Sequence, residues 1–217
     1  MINIAIDGPS GAGKSTVAKM IAKKLGIIYL DTGAMYRAVG LNAVRLGIDP
    51  TDAEGVEPML AHTKVEIVYV NGEQRVLLNG EDVSTAIREH HISKAASDIS
   101  AIPAVRIKLV ELQREIASKS DCVLDGRDIG TYVLPAASHK FFMTATAEIR
   151  AQRRFDELKA KGQPVEFQQV LDDIIIRDKN DSSRAFAPLK KADDAVEIDT
   201  TSMSAEQAAG IIEKRVR

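Results

Sequence analysis

Apolar residues fall in two rhythms along this chain. Short runs such as Ile2-Asn3-Ile4-Ala5-Ile6, Ile27-Ile28-Tyr29-Leu30, Cys122-Val123-Leu124, Lys140-Phe141-Phe142-Met143-Thr144 and Ala195-Val196-Glu197-Ile198-Asp199 read as buried strands. Between them, apolar positions recur at helical spacing. These stretches run from Thr16 to Leu25, about Ala34 to Leu46, Asp52 to His62, Ser84 to Ser100, Pro103 to Ser118, Ala147 to Lys161, Glu166 to Asp181 and Ser204 to Val216. Gly26, Gly47 and Gly162 punctuate helix ends, Pro103 opens a helix, and Ser204-x-x-Gln207 is a capping box. Strands separated by helices predict an α/β fold, a doubly wound five-stranded parallel sheet with ligands at the carboxyl ends of its strands.

One stretch breaks this rhythm. Lys64 to Val83 is β-rich and partly alternating, and Asn71-Gly72 and Asn79-Gly80 are both hairpin signals. Two or three short antiparallel strands are expected there, as a small inserted subdomain.

Composition narrows the class. The chain has 217 residues, 45% hydrophobic and 28% charged, as suits one globular domain with small insertions. Its net charge of -2 advertises no basic surface for polymeric nucleic acid, and 4% aromatic content with no Trp argues against single-strand stacking platforms. The single cysteine, Cys122, excludes disulfide and multi-cysteine metal sites and reads as a core residue. No apolar run approaches the ~20 residues of a membrane helix, and the first strand begins too early for a signal peptide. A soluble cytoplasmic protein is expected.

The chemistry starts at Gly8-Pro9-Ser10-Gly11-Ala12-Gly13-Lys14-Ser15, which satisfies G-x-x-x-x-G-K-[ST] between a strand and a helix. Gly8, Gly11 and Gly13 permit a loop whose amides turn inward, and the helix opening at Thr16 adds the positive end of its dipole. Lys14 offers a point charge to the β- and γ-phosphates, and Ser15 a hydroxyl to Mg²⁺. The stretch predicts binding of a nucleoside triphosphate.

Further polar clusters follow the other strands. Asp31-Thr32-Gly33-Ala34-Met35-Tyr36-Arg37 comes after the second, and Asp125-Gly126-Arg127-Asp128 after the Cys122 strand. Arg127 suits a phosphate and Asp128 an amino or hydroxyl group, although the two would also satisfy each other on a surface. Asp125 suits either the orientation of magnesium waters or the capping of the next segment. Arg150, Arg153 and Arg154 share a helix face with Glu157, and Arg177, Asp181 and Arg184 form a second stripe. Spacing alone favours a solvated, ion-paired face for each stripe.

Taken in order, five blocks resemble bacterial cytidylate kinases. They are Ile6 to Ser15, Leu30 to Arg37, Leu78-Asn79-Gly80-Glu81-Asp82-Val83, Asp125 to Thr131, and Arg184-Ala185-Phe186-Ala187-Pro188-Leu189. The family is similar to adenylate-kinase-like nucleoside monophosphate kinases. The resemblance implies transfer of the γ-phosphoryl of ATP, with Mg²⁺, to CMP or dCMP by an enzyme expected to be monomeric.

It implies donor binding by Gly8 to Thr16. It gives acceptor roles to Thr32, Arg37, Ser97, Arg106, Arg127, Asp128, Arg177, Asp181 and Arg184. It also makes Arg150, Arg153 and Arg154 lid-side arginines. Catalytic roles are expected for Lys14, Arg153, Arg154 and Arg177. The implied division is a core of 1–31, 84–150 and 178–217, an acceptor insertion of about 32–83 and a lid of about 151–177. Against it stand a kinase of another small acceptor, such as shikimate, and a nucleotide-sensing module. A regulatory GTPase would need an Asn-Lys-x-Asp stretch, which the chain lacks.

Overall fold

A computed structural model describes residues 1–216. It contains two compact units, Met1–Tyr29 with Ser120–Arg217, and Leu30–Lys119.

The first unit is built on the five-stranded parallel sheet, in the order β2-β6-β1-β7-β8. These strands are β1 (Asn3–Asp7), β2 (Ile28–Asp31), β6 (Cys122–Gly126), β7 (His139–Thr144) and β8 (Val196–Asp199). Strand β2 carries the chain from this unit into the other. Ile4, Ala5 and Ile6 of the central strand are fully buried, as a strand covered on both faces requires. Helix α1 (Lys14–Leu25) lays Val17, Ala18, Ile21 and Ala22 against this core, and α8 (Ala205–Val216) adds Ala208, Ala209 and Ile212. Cys122 is a buried core thiol, as its apolar run predicts.

The register places the loops. Asp7 pairs with Gly126 on one side and Phe142 on the other, and Thr144 pairs with Asp199. The carboxyl ends of β1, β6, β7 and β8 therefore lie along one edge of the sheet. A π-helical turn, Ile129–Val133, follows β6 directly. Helices α6 (Ala147–Ala160) and α7 (Phe167–Ser183) pack on each other through Ala151, Leu158, Val170 and Ile174.

The second unit holds α2 (Thr32–Arg45), α3 (Ala53–Ala61), the strands β3 (Val65–Val70), β4 (Glu73–Leu78) and β5 (Glu81–Asp82), then α4 (His90–Ile99) and α5 (Pro103–Ala117). The three strands form the antiparallel sheet expected of the insertion. Asn71 and Gly72 take φ of 53° and 78°, the paired left-handed residues of a tight hairpin turn. Asn79 and Gly80 repeat this with 52° and 87°.

Some boundaries differ from expectation. Helix α2 starts at once after β2, because the Asp31 carboxylate accepts from the Ala34 amide and serves as its N-cap. The stretch from Ser84 to Ser100, read as one helix, is a short 3₁₀ turn at Ala86–Arg88 and then α4, with Glu89 extended between them at ψ 146°. Among the described residues, no helix is long and apolar enough to cross a membrane.

Candidate active site

The phosphate loop has the backbone its sequence demands. Gly8, Gly11 and Gly13 have φ of 144°, 79° and 89°, outside the range most side chains tolerate. Gly8 is also sterically enforced, since a Cβ there would lie 1.9 Å from the Met143 carbonyl oxygen. Gly8→Ala is therefore expected to abolish nucleotide-dependent thermal stabilisation even where the variant folds. A wild-type shift of melting temperature with ATP would contradict that packing.

Gly13 caps α1 without any side-chain hydrogen bond, so no side chain competes for the helix's first amides. Lys14 is buried and donates to the Pro9 carbonyl at 2.7 Å. Burial pushes its pKa well below the usual lysine value. The charges of Arg127 and Arg177 act in the same sense, and Asp125 and Asp7 oppose them. Both arginines thus lie within electrostatic reach of the lysine.

Ser15 donates to Asp125 Oδ2 at 2.7 Å, and the Tyr29 hydroxyl donates to Oδ1 at 2.9 Å. Asp125 is the penultimate residue of β6 and accepts from the Ser15 hydroxyl at the end of the loop. Both of its carboxylate oxygens are thus engaged by hydroxyl donors. An all-oxygen set of one hydroxyl and one carboxylate suits a hard cation completed by phosphates and water.

Arg127 and Asp128 do not pair with each other. Arg127 Nε donates to Asp181 Oδ2 at 2.9 Å, while Asp128 is buried at the start of the π-helical turn. Asp181 gathers two more guanidinium groups, Arg184 at 3.7 Å and Arg177 at 4.0 Å. Burial alone would raise the Asp181 pKa, but Arg127, Arg177 and Arg184 together hold it below the usual carboxylate range. The stripe at 177, 181 and 184 is thus a convergent cationic cluster rather than a solvated face.

The other arginine stripe divides. Arg150 is buried and donates to Asp178 at 3.1 and 2.5 Å, to the Ser10 carbonyl at 3.1 Å and to the Ala145 carbonyl at 2.9 Å. It backs the phosphate loop rather than facing solvent. Arg153 donates to the Thr200 carbonyl at 2.6 Å and to its hydroxyl at 3.2 Å, and reaches the Gly11 carbonyl at 3.5 Å. It also lines a cavity of about 320 Å³ with Ala12, Gly13, Thr16, Met143 and Met203. Arg154 alone shows the solvated pairing expected of the stripe, to Glu157 at 2.8 Å.

In the second unit, Arg37 pairs with Asp31 at 2.9 Å and Arg88 pairs with the same oxygen at 3.1 Å. Burial works against the Asp31 carboxylate, and Arg37 and Arg88 outweigh it, leaving its pKa lowered. Gln74 of β4 accepts from the Asp31 amide at 2.7 Å. Thr32 is buried at the head of α2. Arg106 is buried, donates to the Ser100 carbonyl at 3.3 Å and stacks its guanidinium 5.4 Å from the centre of the Tyr36 ring. Ser97 is half-buried on α4.

Sequence reasoning did not find Arg88, Gln74, Tyr29, Asp178 or Thr200. Each acts through a partner remote in the chain, and no local spacing marks it.

Residues 4–217 match the family model for cytidylate kinase. The chain belongs to the cytidylate kinase family. A cytidylate kinase of Caldicellulosiruptor bescii is 54% identical over 206 residues, covering 95% of this chain and 91% of its own. One from Halalkalibacterium halodurans is 47% identical over 219 residues, covering 99% of each. Among solved structures, an uncharacterized protein from Eubacterium ventriosum aligns over 100% of this chain and 98% of its own, with a TM-score of 0.56 and 16% identity. A shikimate kinase from Bacteroides thetaiotaomicron aligns over 99% and 98%, with a TM-score of 0.50 and 13% identity. At such identities these two share the fold alone with this cytidylate kinase family member. The family match is carried by the sequence.

Proposed function

We propose that this chain transfers the γ-phosphoryl group of magnesium-bound ATP to CMP or dCMP, giving ADP and CDP or dCDP. Membership of the cytidylate kinase family gives the reaction class. The observation that carries the chemistry is the cluster of Arg127, Arg177 and Arg184 around Asp181, with Arg127 and Arg177 within electrostatic reach of Lys14. Two anions that repel each other must meet for transfer, and fixed guanidinium groups beside the donor lysine offset that repulsion.

By this reading Gly8 to Thr16 hold the donor phosphates. Ser15, with Asp125 behind it, would hold Mg²⁺, which neutralises charge on the β- and γ-oxygens when bound. Arg37, Arg127, Arg177, Asp181 and Arg184 hold the acceptor's phosphate and sugar. Ser97, Arg106 and Asp128 read or frame its cytosine, and Thr32 contributes a hydroxyl. Of the two lid arginines, we assign the donor side to Arg153, which already contacts the loop carbonyl of Gly11. Arg154, on the Glu157 pair, would reach the transferring group only after that pair opens. The functional division is a core of 1–31, 84–150 and 178–217, an acceptor segment of about 32–83 and a lid of about 151–177. The enzyme would act as a cytoplasmic monomer on small molecules.

The deciding experiment is ADP release from ATP with CMP, dCMP, UMP, AMP, GMP and shikimate offered separately, with and without Mg²⁺. Fast turnover with CMP and dCMP only, lost without Mg²⁺, is expected. Preferred turnover with shikimate would replace the assignment. Arg127→Ala is expected to raise KM for CMP by about tenfold or more and KM for ATP far less. The opposite pattern would move Arg127 to the donor side.

A further inference from the structure

Asp7 lies in the Ile6 to Ser15 block, directly before the phosphate loop, yet the functional reading gives it no contact with donor or acceptor. It ends the central strand, where Ile4, Ala5 and Ile6 are wholly buried, and it is itself only 4% exposed. A carboxylate in that place is costly unless its oxygens are satisfied. They are satisfied by two consecutive amides far along the chain. Oδ1 accepts from Ile129 N–H and Oδ2 from Gly130 N–H, each at 2.7 Å.

Those amides are the two that follow Asp128. The Asp128 carbonyl accepts in turn from the Tyr132 and Val133 amides at 2.9 and 3.0 Å, which closes the π-helical turn. Asp128 is thereby fixed from both directions, by the turn it opens and by the carboxylate that grips the next two residues. Its own backbone sits at φ -145° and ψ 23°, outside the helical and strand regions, so a specific device is needed to hold it there.

The geometry points to Asp7 as a positioning residue for acceptor-base recognition: its carboxylate clamps the amides of Ile129 and Gly130 and so fixes the aim of Asp128. The inference rests on the assignment of Asp128 to the cytosine. Only a carboxylate has two equivalent acceptors for this task. An asparagine offers one acceptor and turns its NH₂ toward the second amide. Burial pushes the Asp7 pKa up to about 7, with the two amides and Lys14 holding it down and the Asp128 charge pushing further up. The two amide donors therefore work against the desolvation of the carboxylate they hold.

The test is Asp7→Asn, Asp128→Asn and the double variant, each read for KM of CMP, UMP and ATP, for kcat and for melting temperature. Asp7→Asn should lower the CMP-over-UMP preference about tenfold through the acceptor KM, with KM for ATP within about twofold. In the Asp128→Asn background the same substitution should change the preference no further.

An undiminished preference in Asp7→Asn, or full additivity in the double variant, would overturn the inference. If Asp128→Asn itself keeps its preference, the base-reading assignment fails instead, and the two failures are distinct. Should Asp7→Asn not fold, amide spectra of the wild-type protein decide. The Ile129 and Gly130 signals must shift together with the titration of the Asp7 carboxyl, and unmoved signals would overturn the clamp.

Discussion

Lys14→Ala is expected to lower kcat for phosphoryl transfer to CMP by about 10²–10³-fold or more while leaving a folded protein. The lysine is poised rather than structural. Its ammonium is held 2.7 Å from the Pro9 carbonyl inside its own loop, and that contact joins no two elements of the core. Burial and the neighbouring Arg127 both disfavour its charge, so the site is tense with respect to one more cation and waits for an anion.

A bound triphosphate supplies that anion, and the lysine's stabilisation grows as negative charge spreads over the transferring group. Removing the ammonium deletes this differential stabilisation and also relieves a buried charge. The expected signature is therefore a large loss in kcat with a circular dichroism spectrum like that of the wild type. Turnover within tenfold of wild type would remove Lys14 from the transfer step.

What the sequence revealed depended on the range of the interaction concerned. The phosphate loop is readable because three glycines, a lysine and a serine in eight consecutive positions act on one another locally. The two Asn-Gly turns are readable for the same reason, since positive φ at two adjacent residues is a property of those residues. The two-residue strand Glu81–Asp82 is too short and exposed for any periodicity, so it stood only as the optional third strand. The break before α4 lies at Glu89, with neither glycine nor proline to announce it.

Long-range polar contacts were hidden altogether. Helical spacing brought Arg177, Asp181 and Arg184 onto one stripe, but nothing in it named Arg127 as the closest partner, 54 residues away. Arg150 looked like its neighbour Arg154 in spacing. Only the fold distinguishes a guanidinium buried on Asp178 behind the loop from one solvated beside Glu157.

Asp181→Ala should produce the largest combined loss of stability and acceptor affinity of any single change outside the phosphate loop. One buried carboxylate serves as counter-ion to Arg127, Arg177 and Arg184, at 2.9, 4.0 and 3.7 Å. Without it, three like charges converge on a small void, and breaking a buried pair of this kind costs about 3 kcal/mol or more. The sign with pH follows from the lowered Asp181 pKa. Its contribution is fully present above the unfolded-state carboxylate value and is lost only as pH falls through the lower folded value.

The difference in melting temperature between wild type and variant should therefore hold constant from neutral pH down to about 5 and shrink in stronger acid. Acceptor binding suffers separately. The arginines no longer keep a fixed geometry for a phosphate ester, so KM for CMP should rise about tenfold or more against a smaller change for ATP. Inorganic phosphate supplies a mobile replacement for the missing charge and should raise the melting temperature of Asp181→Ala more than that of the wild type. If both proteins melt alike and phosphate shifts neither, the three guanidinium groups do not depend on this carboxylate, and the cluster is not the acceptor's anion site.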